Sequence, residues 1–513
     1  MSFIGGPATI WAATESQNPA FESAKISPPV VPLMNWIKNH RSPRTGLPLS
    51  FYVPEAYRSR VLATIGDADS VPAIIERTIV EEGFVVYDGA LWQIVLTAMG
   101  DDKDLELAFK PITYYWAGSL KDLVQIRSGY PASNFMYDPE HPGIVSSHLD
   151  KKGIRGFIFR ILNAHGRYLM NDPLDGKNAL DDFPNLRRIH WEDWKPIAGE
   201  NAWVVLSALH MYHKKYFDRE RRQYQHHGTA LELLLSKELS RAALVLQCDN
   251  GGIRMAPIGT YRNPTFDPET NTWQQYEISP EDYQWHYYEI STENNLSWYA
   301  ALTLLNQITP HARYQKAINK LERYFQAVWD DRQNIFYQGM HYADDEWRPN
   351  TEHFAVDVQA MAIAVLSPAW IDQNFGAGKA YQIWQATKTR SGFFDKEQRL
   401  LGAGYTDEHD RMSIEWTCIS ILALRQLAAY YQETHPDWVD ILKQEITTMR
   451  QGVEQYRYPV SDEEAAYAYS SKRGWIPWGW FSHDPQVLSL VSTCWVMLID
   501  QHINPFILLD GGI

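Results

Sequence analysis

The amino-acid sequence predicts an all-α fold, an (α/α)6 toroid in which six buried helices alternate with six amphipathic ones. Three observations lead to this prediction. Several helical segments are apolar on nearly every face, each is followed by an amphipathic segment, and an Asp or Glu recurs at the start of the apolar ones. A helix that is apolar all round is buried, and similar units that cannot cover their own faces must stack on one another.

Composition narrows the class of protein. The chain has 513 residues, is 45% apolar and carries a net charge of −15, which excludes nucleic acid and anionic membrane surfaces as partners. No apolar run reaches the roughly 20 residues of a membrane span. Residues 1–21 lack the basic and apolar regions of a secretory signal. We therefore expect a cytoplasmic protein, a monomer or simple homo-oligomer, with secretion by another route left open.

The domain prediction is a polar tail over residues 1–24 and a single barrel domain over residues 25–513. Within the barrel, Val30 to Asn39 reads as a short helix after two prolines. Residues 128–152 form a long loop rich in Pro, Gly and Tyr, and long loops of this kind are usually functional. Residues 156–170 alternate around Asn163-Ala164-His165-Gly166 and predict a β-hairpin. We expect such hairpin insertions in the loops at the end where the inner helices begin.

The first three helical pairs follow in chain order. The first inner helix opens at Tyr87-Asp88, the second at Gly199-Glu200, and the third behind the capping residues Ser291 and Thr292. Their predicted outer partners are about 101–123, 226–247 and 310–330.

The last three pairs are read in the same way. The fourth inner helix is predicted to open at Asn350-Thr351-Glu352-His353, the fifth at Ser413-Ile414-Glu415, and the sixth at Ser482-His483-Asp484-Pro485. Outer helices are predicted over about 378–387 and 438–456. The sixth inner helix has no outer partner after it, so the N-terminal helical region is expected to close the ring.

Parallel inner helices would collect their first turns, and the acids in them, around one mouth of the toroid. Those acids are Asp88, Glu200, Glu293, Glu352, Glu415 and Asp484. A single acid at a helix start is usually a cap. Several that converge raise one another's pKa and can separate into a protonated acid and an ionised base.

The chain is rich in aromatic residues, with 20 Trp and 29 Tyr. Much of this must be core, but aromatic rings also stack on the apolar faces of sugars. The Gly474 to Trp480 loop is not helical and predicts a sugar platform. The candidate substrate-binding residues are Tyr87, Trp92, Asn201, Trp203, Asn294, Trp298, Glu352, Trp416, Trp475, Trp478, Trp480 and His483.

Several of these segments resemble a known superfamily. The openings Gly199-Glu200-Asn201-Ala202-Trp203, Ser291 to Asn295 and Ser413 to Thr417 are similar to inner-helix starts of the six-hairpin glycosidases. The pattern from Trp478 to Phe506 is similar to the ends of some bacterial members. The resemblance covers the chain from about residue 85 onward and implies mostly inverting glycoside hydrolases, with some retaining enzymes and phosphorylases. It selects no individual family.

We therefore predict a glycoside hydrolase acting on an oligo- or polysaccharide. A glucan is the expected substrate, and the expected reaction inverts the configuration of the anomeric carbon. Two carboxyl groups suffice for this chemistry. The general acid is assigned to Glu200 or Glu293, and the base to Glu415, with Asp88 as second choice. Glu352 is a weaker candidate because His353 could neutralise it. No cofactor is implied.

Two other classes remain open. A polysaccharide lyase or sugar epimerase on the same toroid would use Tyr and His, and Tyr87, Tyr288, His286 and His353 are available. A non-catalytic glycan-binding toroid would not need its carboxylates. A metal site is not predicted, because no metal-binding motif is present and the three cysteines lie in or beside apolar segments as buried thiols.

Overall fold

The computed structural model describes residues 30–65, 71–117, 157–158, 160–165, 191–193, 195–225, 228–257, 260, 266–267, 272–273 and 285–509. The predicted tail over residues 1–24 and the predicted loop over residues 128–152 lie outside the described residues. The part of the predicted hairpin from residue 166 onward does so as well. The division of the chain into a tail and one barrel domain stays a prediction.

Helices make up most of the described residues. In chain order they are α1 (Val30–Asn39), α2 (Glu55–Thr64), α3 (Val71–Glu82), α4 (Val86–Met99), α5 (Asp102–Ala117), α6 (Ala198–Tyr216), α7 (Leu231–Val245), α8 (Thr292–Ile308), α9 (Ala312–Ala327), α10 (Val356–Leu366), α11 (Pro368–Phe375), α12 (Lys379–Ser391), α13 (Ile414–Tyr431), α14 (Pro436–Glu454) and α15 (Leu490–Asp500). A 3-10 turn, Trp285–Tyr288, precedes α8.

Six of the described helices close into an inner ring. Each packs on the next in the order α4, α6, α8, α10, α13 and α15, and α15 packs back on α4. The outer helices α5, α7, α9, α12 and α14 each cover the inner helix before them, and α1 covers α15. The prediction of an all-α (α/α)6 toroid is confirmed, and so is the closing role of an N-terminal helix.

The two rings differ in sequence pattern, as their burial requires. On the outer helix α9, the buried residues Tyr314, Ile318, Leu321 and Phe325 recur at three- and four-residue spacing and form one stripe. The inner helix α10 is buried on nearly all faces. The inner helices therefore form the core, and the outer helices shield it from water.

Serine caps fix where three inner helices begin. The Oγ of Ser291 accepts from Asn294 N at 3.3 Å, Ser413 caps α13 through Trp416 N, and Ser489 caps α15 through Ser492 N. A capping hydroxyl satisfies a backbone N–H that the first helical turn leaves unpaired. These caps set the first turns in place, and with them the side chains that face the mouth.

Short antiparallel strands occupy the loops, mostly before the inner helices. The strands are β1 (Phe51–Tyr52), β2 (Gly83–Val85), β3 (Ile161–Asn163), β4 (Trp191–Asp193), β5 (Phe217–Asp218), β6 (Gln223–Tyr224), β7 (Phe266–Asp267), β8 (Thr272–Trp273), β9 (Glu289–Ser291), β10 (Trp329–Asp330), β11 (Ile335–Phe336), β12 (Gly339–Ala343), β13 (Glu346–Asn350), β14 (Gly392–Phe394), β15 (Leu400–Ala403), β16 (Arg457–Pro459), β17 (Ala465–Ala468), β18 (Gly474–Ile476), β19 (Trp480–Ser482) and β20 (Leu488–Ser489). The larger sheets have the orders β1-β20-β17-β16, β13-β12-β9 and β2-β3-β4, and β18 and β19 form a separate two-stranded hairpin.

Two predicted helix starts are wrong. Strand β13 continues to Asn350, so α10 begins only at Val356 and the acid in its first turn is Asp357, not Glu352. Strand β20 pairs with β1 and β17, so α15 begins only at Leu490. Asp484 therefore lies before the helix, where it accepts a hydrogen bond from Thr64 Oγ1. In both places strand residues, Asn350 in β13 and Leu488–Ser489 in β20, occupy positions that the sequence pattern assigned to a helix.

Two smaller findings complete the fold. No helix in the part of the chain that the structure describes is long and apolar enough to cross a membrane. Cys248, Cys418 and Cys494 are buried free thiols, as the sequence predicts.

Candidate active site

Five inner helices bring an acid to the same mouth of the ring. Each acid lies in the first turn of its helix, and the carboxyl groups influence one another's ionisation across the mouth. They are Asp88 on α4, Glu200 on α6, Glu293 on α8, Asp357 on α10 and Glu415 on α13. The convergence expected from the sequence is present, with Asp357 in place of Glu352.

Glu293 lies in the mouth among other acids. Burial raises the pKa of its carboxyl group to about 8, and the negative charges of Asp357 and Glu200 act in the same direction. The Ser297 hydroxyl donates to Glu293 Oε1 at 2.9 Å and, like the Trp203 indole, lowers this pKa. Near neutral pH the group therefore holds a proton that it can donate.

Glu415 is also buried among acids, and burial raises its pKa to about 8. The Tyr87 hydroxyl lies 2.5 Å from Glu415 Oε1 and opposes this rise, whereas Asp88, Asp357 and Glu293 add to it. The Trp495 indole N–H donates to the same Tyr87 oxygen at 2.9 Å. Glu415 thus belongs to a fixed hydrogen-bonded chain of three side chains.

Asp88 and Asp357 complete the cluster, each with a pKa raised to about 7 by burial. Ser50 and Arg160 lower the pKa of Asp88, while Glu200 raises it. The backbone N–H of Val358 donates to Asp357 Oδ1 at 2.8 Å and lowers the pKa of Asp357. At neutral pH the cluster therefore holds protonated and ionised carboxyl groups side by side, the arrangement needed for acid–base catalysis.

Glu200 differs from the other four because a cation faces it. Arg160 Nε lies 2.9 Å from Glu200 Oε1, and only 12% of the Glu200 side chain is exposed. The positive charge also reaches Asp88, so Arg160 offsets part of the negative charge at this side of the mouth.

An aromatic wall stands beside Glu415. The ring centroids of Trp416 and Trp478 are 5.9 Å apart, and those of Trp478 and Trp480 are 6.2 Å apart. Trp478 donates its indole N–H to Gln338 at 2.6 Å, and Trp480 donates to the Tyr469 hydroxyl at 3.1 Å. Trp478 and Trp480 are partly exposed on the β18–β19 hairpin and its turn, as a sugar platform requires.

Three predicted substrate-binding residues lie in the core instead, with 0% exposure. Trp92 donates its indole N–H to Ile37 O at 2.8 Å, and Trp298 stacks on Phe157. The amide of Asn201 bonds the backbone of Ile158 and Ile197. A sugar contact does not fit these positions, because the side chains are fully buried. The sequence could not show this, because a helix that is apolar all round gives no signal for which face looks into the mouth.

Three further candidates lie near the mouth but are almost covered. Trp203 packs on Tyr87 at 5.0 Å between ring centroids and on Trp495 at 6.0 Å. Asn294 is 5% exposed. His483 packs on Phe51, and burial, with the Arg473 charge, lowers its pKa to about 3, so this ring is neutral.

The remaining candidates lie at the rim. Trp475 packs on Phe481 within the β18–β19 hairpin. Glu352 is 75% exposed and 3.5 Å from His353 Nε2, outside the cluster of five acids. The sequence analysis misses Asp357 because it takes Glu352, five residues earlier, as the acid that opens this helix. Tyr288, kept for the lyase or epimerase alternative, stacks on Tyr342.

No group of three potential metal ligands occurs among the described residues.

Comparison with known proteins identifies the fold. No family model matches the chain, and no curated protein matches it. The structure is similar to a sugar epimerase from a ruminal bacterium, with a TM-score of 0.51 and 10% identity over 92% of this chain and 96% of that one. It is also similar to a cellobiose 2-epimerase from Bacillus thermoamylovorans B4167, with a TM-score of 0.50, 10% identity and the same coverage. The chain has the (α/α)6-barrel fold.

Proposed function

We propose that the protein is a glycoside hydrolase acting on a neutral oligo- or polysaccharide, preferably a glucan, with Glu293 as general acid and Glu415 as general base. The observation that carries this proposal is the position of these two carboxyl groups at one mouth, with Asp357 interacting with both. Glycoside hydrolysis requires two such groups, one to protonate the leaving oxygen and one to activate water.

The role of acid falls to Glu293 because its surroundings favour the protonated form. Burial is the largest cause, and the neighbouring Asp357 and Glu200 repel a further negative charge. A protonated carboxyl group at neutral pH can donate to the glycosidic oxygen as the bond breaks. Glu200, the other candidate from the sequence, is instead paired with Arg160.

The role of base falls to Glu415 because a hydroxyl group is directed at its carboxylate. Tyr87 donates to Oε1 and lowers the pKa of Glu415, whereas burial and the surrounding acids raise it to about 8, so the ionised fraction of Glu415 acts as the base. A base must be ionised to remove a proton from the attacking water. Asp88, the second choice from the sequence, is 4% exposed, against 7% for Glu415.

The placement of the two groups supports inversion. Glu293 lies on α8 and Glu415 on α13, and α10 stands between these helices in the ring. Inverting enzymes need more space between their carboxyl groups than retaining enzymes, because a water molecule must fit between the base and the sugar. We therefore propose a single displacement.

The charge of the mouth supports a neutral substrate. Among the described residues, five carboxyl groups face it, and Arg160, the cation that acts on them, is paired with Glu200. A uronate-containing polysaccharide would need cations to neutralise its carboxylates. This balance disfavours a uronate lyase, whereas the Trp416–Trp478–Trp480 wall suits the apolar face of an uncharged sugar ring.

The test is hydrolysis by the purified full-length chain of a panel of α- and β-linked glucans and other neutral oligosaccharides, with the product anomer followed by NMR. Glu293→Gln and Glu415→Gln should each lower kcat by about 10²-fold or more while the fold is kept. Glu433→Gln, an exposed position just after the other end of α13, is the matched control and should keep wild-type rates. Wild-type turnover in both site variants would overturn the assignment.

A second candidate function is sugar epimerisation, which the similarity to two sugar epimerases supports. The same mouth could remove and return a proton beside a carbonyl group, with Glu415 as base. The two functions differ in their products. Epimerisation changes the sugar without releasing a new reducing end, whereas hydrolysis releases one for each bond cleaved.

A glycan-binding toroid without activity would keep its affinity in both Gln variants.

A further inference from the structure

The Tyr87 hydroxyl lies between the indole N–H of Trp495 and the carboxyl group of Glu415. The Trp495 indole can only donate, so the Tyr87 oxygen accepts from it at 2.9 Å. The single hydroxyl hydrogen of Tyr87 then points to Glu415 Oε1, 2.5 Å away. When Glu415 is ionised and can only accept, the direction of the Tyr87–Glu415 bond follows from these heavy-atom positions.

Packing holds this chain rigid. Trp495 is fully buried on α15, with Trp203 and Phe506 at centroid distances of 6.0 and 6.3 Å. Trp203 in turn packs edge-on against the Tyr87 ring at 5.0 Å. Neither ring can turn without displacing its neighbours, because protein interiors have few voids.

Among the described residues, the other charged groups that act on Glu415 oppose its ionisation. Asp88 approaches from α4, Glu293 from α8 and Asp357 from α10, all of them acids. Two buried tyrosines, Tyr405 and Tyr469, also sense the charge of Glu415, and burial raises the pKa of both. Among the described residues, Tyr87 therefore supplies the side-chain contact that favours the charged form of Glu415.

We propose that Tyr87, oriented by Trp495, is the positioning residue that favours the ionised, basic form of Glu415. This inference rests on the proposed function for its kinetic consequence, but its geometry does not. Hydrogen bonds in series polarise one another, so the indole strengthens the bond that the hydroxyl donates. The chain acts through Glu415, and Tyr87 need not touch the substrate.

The positioning role of Tyr87 predicts a change in the pH dependence of kcat/KM. Without the donor, the carboxylate of Glu415 loses a stabilising hydrogen bond and its pKa rises. The acidic limb of the profile of kcat/KM, which follows ionisation of the base, should move to higher pH by about one unit in Tyr87→Phe. A residue with only a structural role would lower the rate at every pH without moving the limb.

Two variants and one control make the test specific. Trp495→Phe leaves Tyr87 in place but removes its orienting donor, so the limb should move in the same direction by less. Tyr467→Phe removes an equivalent buried bond, from Tyr467 to Glu454 Oε2 at 2.7 Å, outside the mouth, and should leave the limb unchanged. Thermal unfolding of each variant shows whether it is folded. If Tyr87→Phe does not fold, the result for Trp495→Phe decides the test.

An infrared titration separates this inference from the proposed function. The protonated-carboxyl band that Glu415→Gln abolishes reports the ionisation of Glu415 in the full chain without any substrate. A midpoint that rises in Tyr87→Phe and, by less, in Trp495→Phe supports the positioning role, even if no glycoside is hydrolysed. A midpoint that stays or falls in both folded variants overturns it, even if hydrolysis is found.

Discussion

Glu293 lies against Gly199, so closely that a Cβ added at Gly199 would be 3.3 Å from Glu293 Oε2 and 2.2 Å from Asn294 Oδ1. The first turns of α6 and α8 therefore meet with no room for a side chain. The contact involves the proposed acid itself.

Gly199→Ala should separate activity from stability. Ala favours a helix over Gly by up to about 1 kcal/mol, but the methyl group must displace the end of the Asn294 side chain and press on Glu293. We expect kcat to fall between about 10- and 100-fold, because small misplacements of a catalytic group are costly, while the Tm changes little. Gly228→Ala, where a Cβ meets nothing within 4 Å, is the control. Full activity in Gly199→Ala would show that this contact does not set the position of Glu293.

Asp357→Asn should shift the whole pH profile toward acid. Asp357 raises the pKa of both Glu293 and Glu415, so its neutral replacement lowers both. The base then ionises at lower pH, and the acid loses its proton at lower pH. The profile of kcat/KM measures this directly, with exposed Asp462→Asn as control. A shift toward alkali would contradict the proposed interactions.

The acid cluster should make the fold less stable as pH rises. Asp88, Asp357, Glu293 and Glu415 have folded-state pKa values of about 7 to 8, above their ordinary values of 3.8 and 4.5. Between those limits the folded state binds more protons than the unfolded one, so the free energy of unfolding falls with pH. We expect the Tm to fall from pH 5 to pH 9.

Removing one carboxyl group should weaken this dependence. Glu415→Gln is expected to flatten the fall in Tm, because one of the four groups that must lose a proton is gone. Glu433→Gln, exposed and outside the cluster, should leave it as it is. A wild-type Tm that rises steadily over the same range would be inconsistent with a buried acid cluster.

Trp478→Ala should weaken substrate binding more than turnover. Trp478 lies between Trp416 and Trp480, with its indole fixed by Gln338. Loss of a stacking ring is expected to raise KM about tenfold, with kcat within about twofold. Trp438→Ala removes a ring stacked between Tyr381 and His435 at the outer surface and should lower the Tm without changing KM.

Much of the fold could be predicted from the sequence, because it depends on local patterns. An apolar run behind a capping serine marks where α8 and α13 begin, and this placed Glu293 and Glu415 correctly. The prediction failed at Glu352, where the hairpin of β12 and β13 delays the helix, and at Asp484, where β20 pairs with the distant strand β1. A local pattern cannot report the pairing of β20 with β1.

Side-chain partners were harder to predict than helices. Trp92 and Trp203 both lie on inner helices, yet Trp92 faces α1 while Trp203 contacts Tyr87. A helix that is apolar on all faces carries no sequence signal for this choice. The Tyr87–Glu415 bond joins residues 328 positions apart, and only the closed ring brings them together.

The bond between Trp495 and Tyr87 spans 408 positions and joins the last helix of the ring to the first. A ribosome must therefore complete α15 before the Tyr87 hydroxyl can acquire its fixed orientation. Until then the early helices can assemble, but the chain emerging from the ribosome carries an unfinished mouth. Catalytic competence should accordingly appear late in synthesis and in a single step, when the two ends of the ring meet.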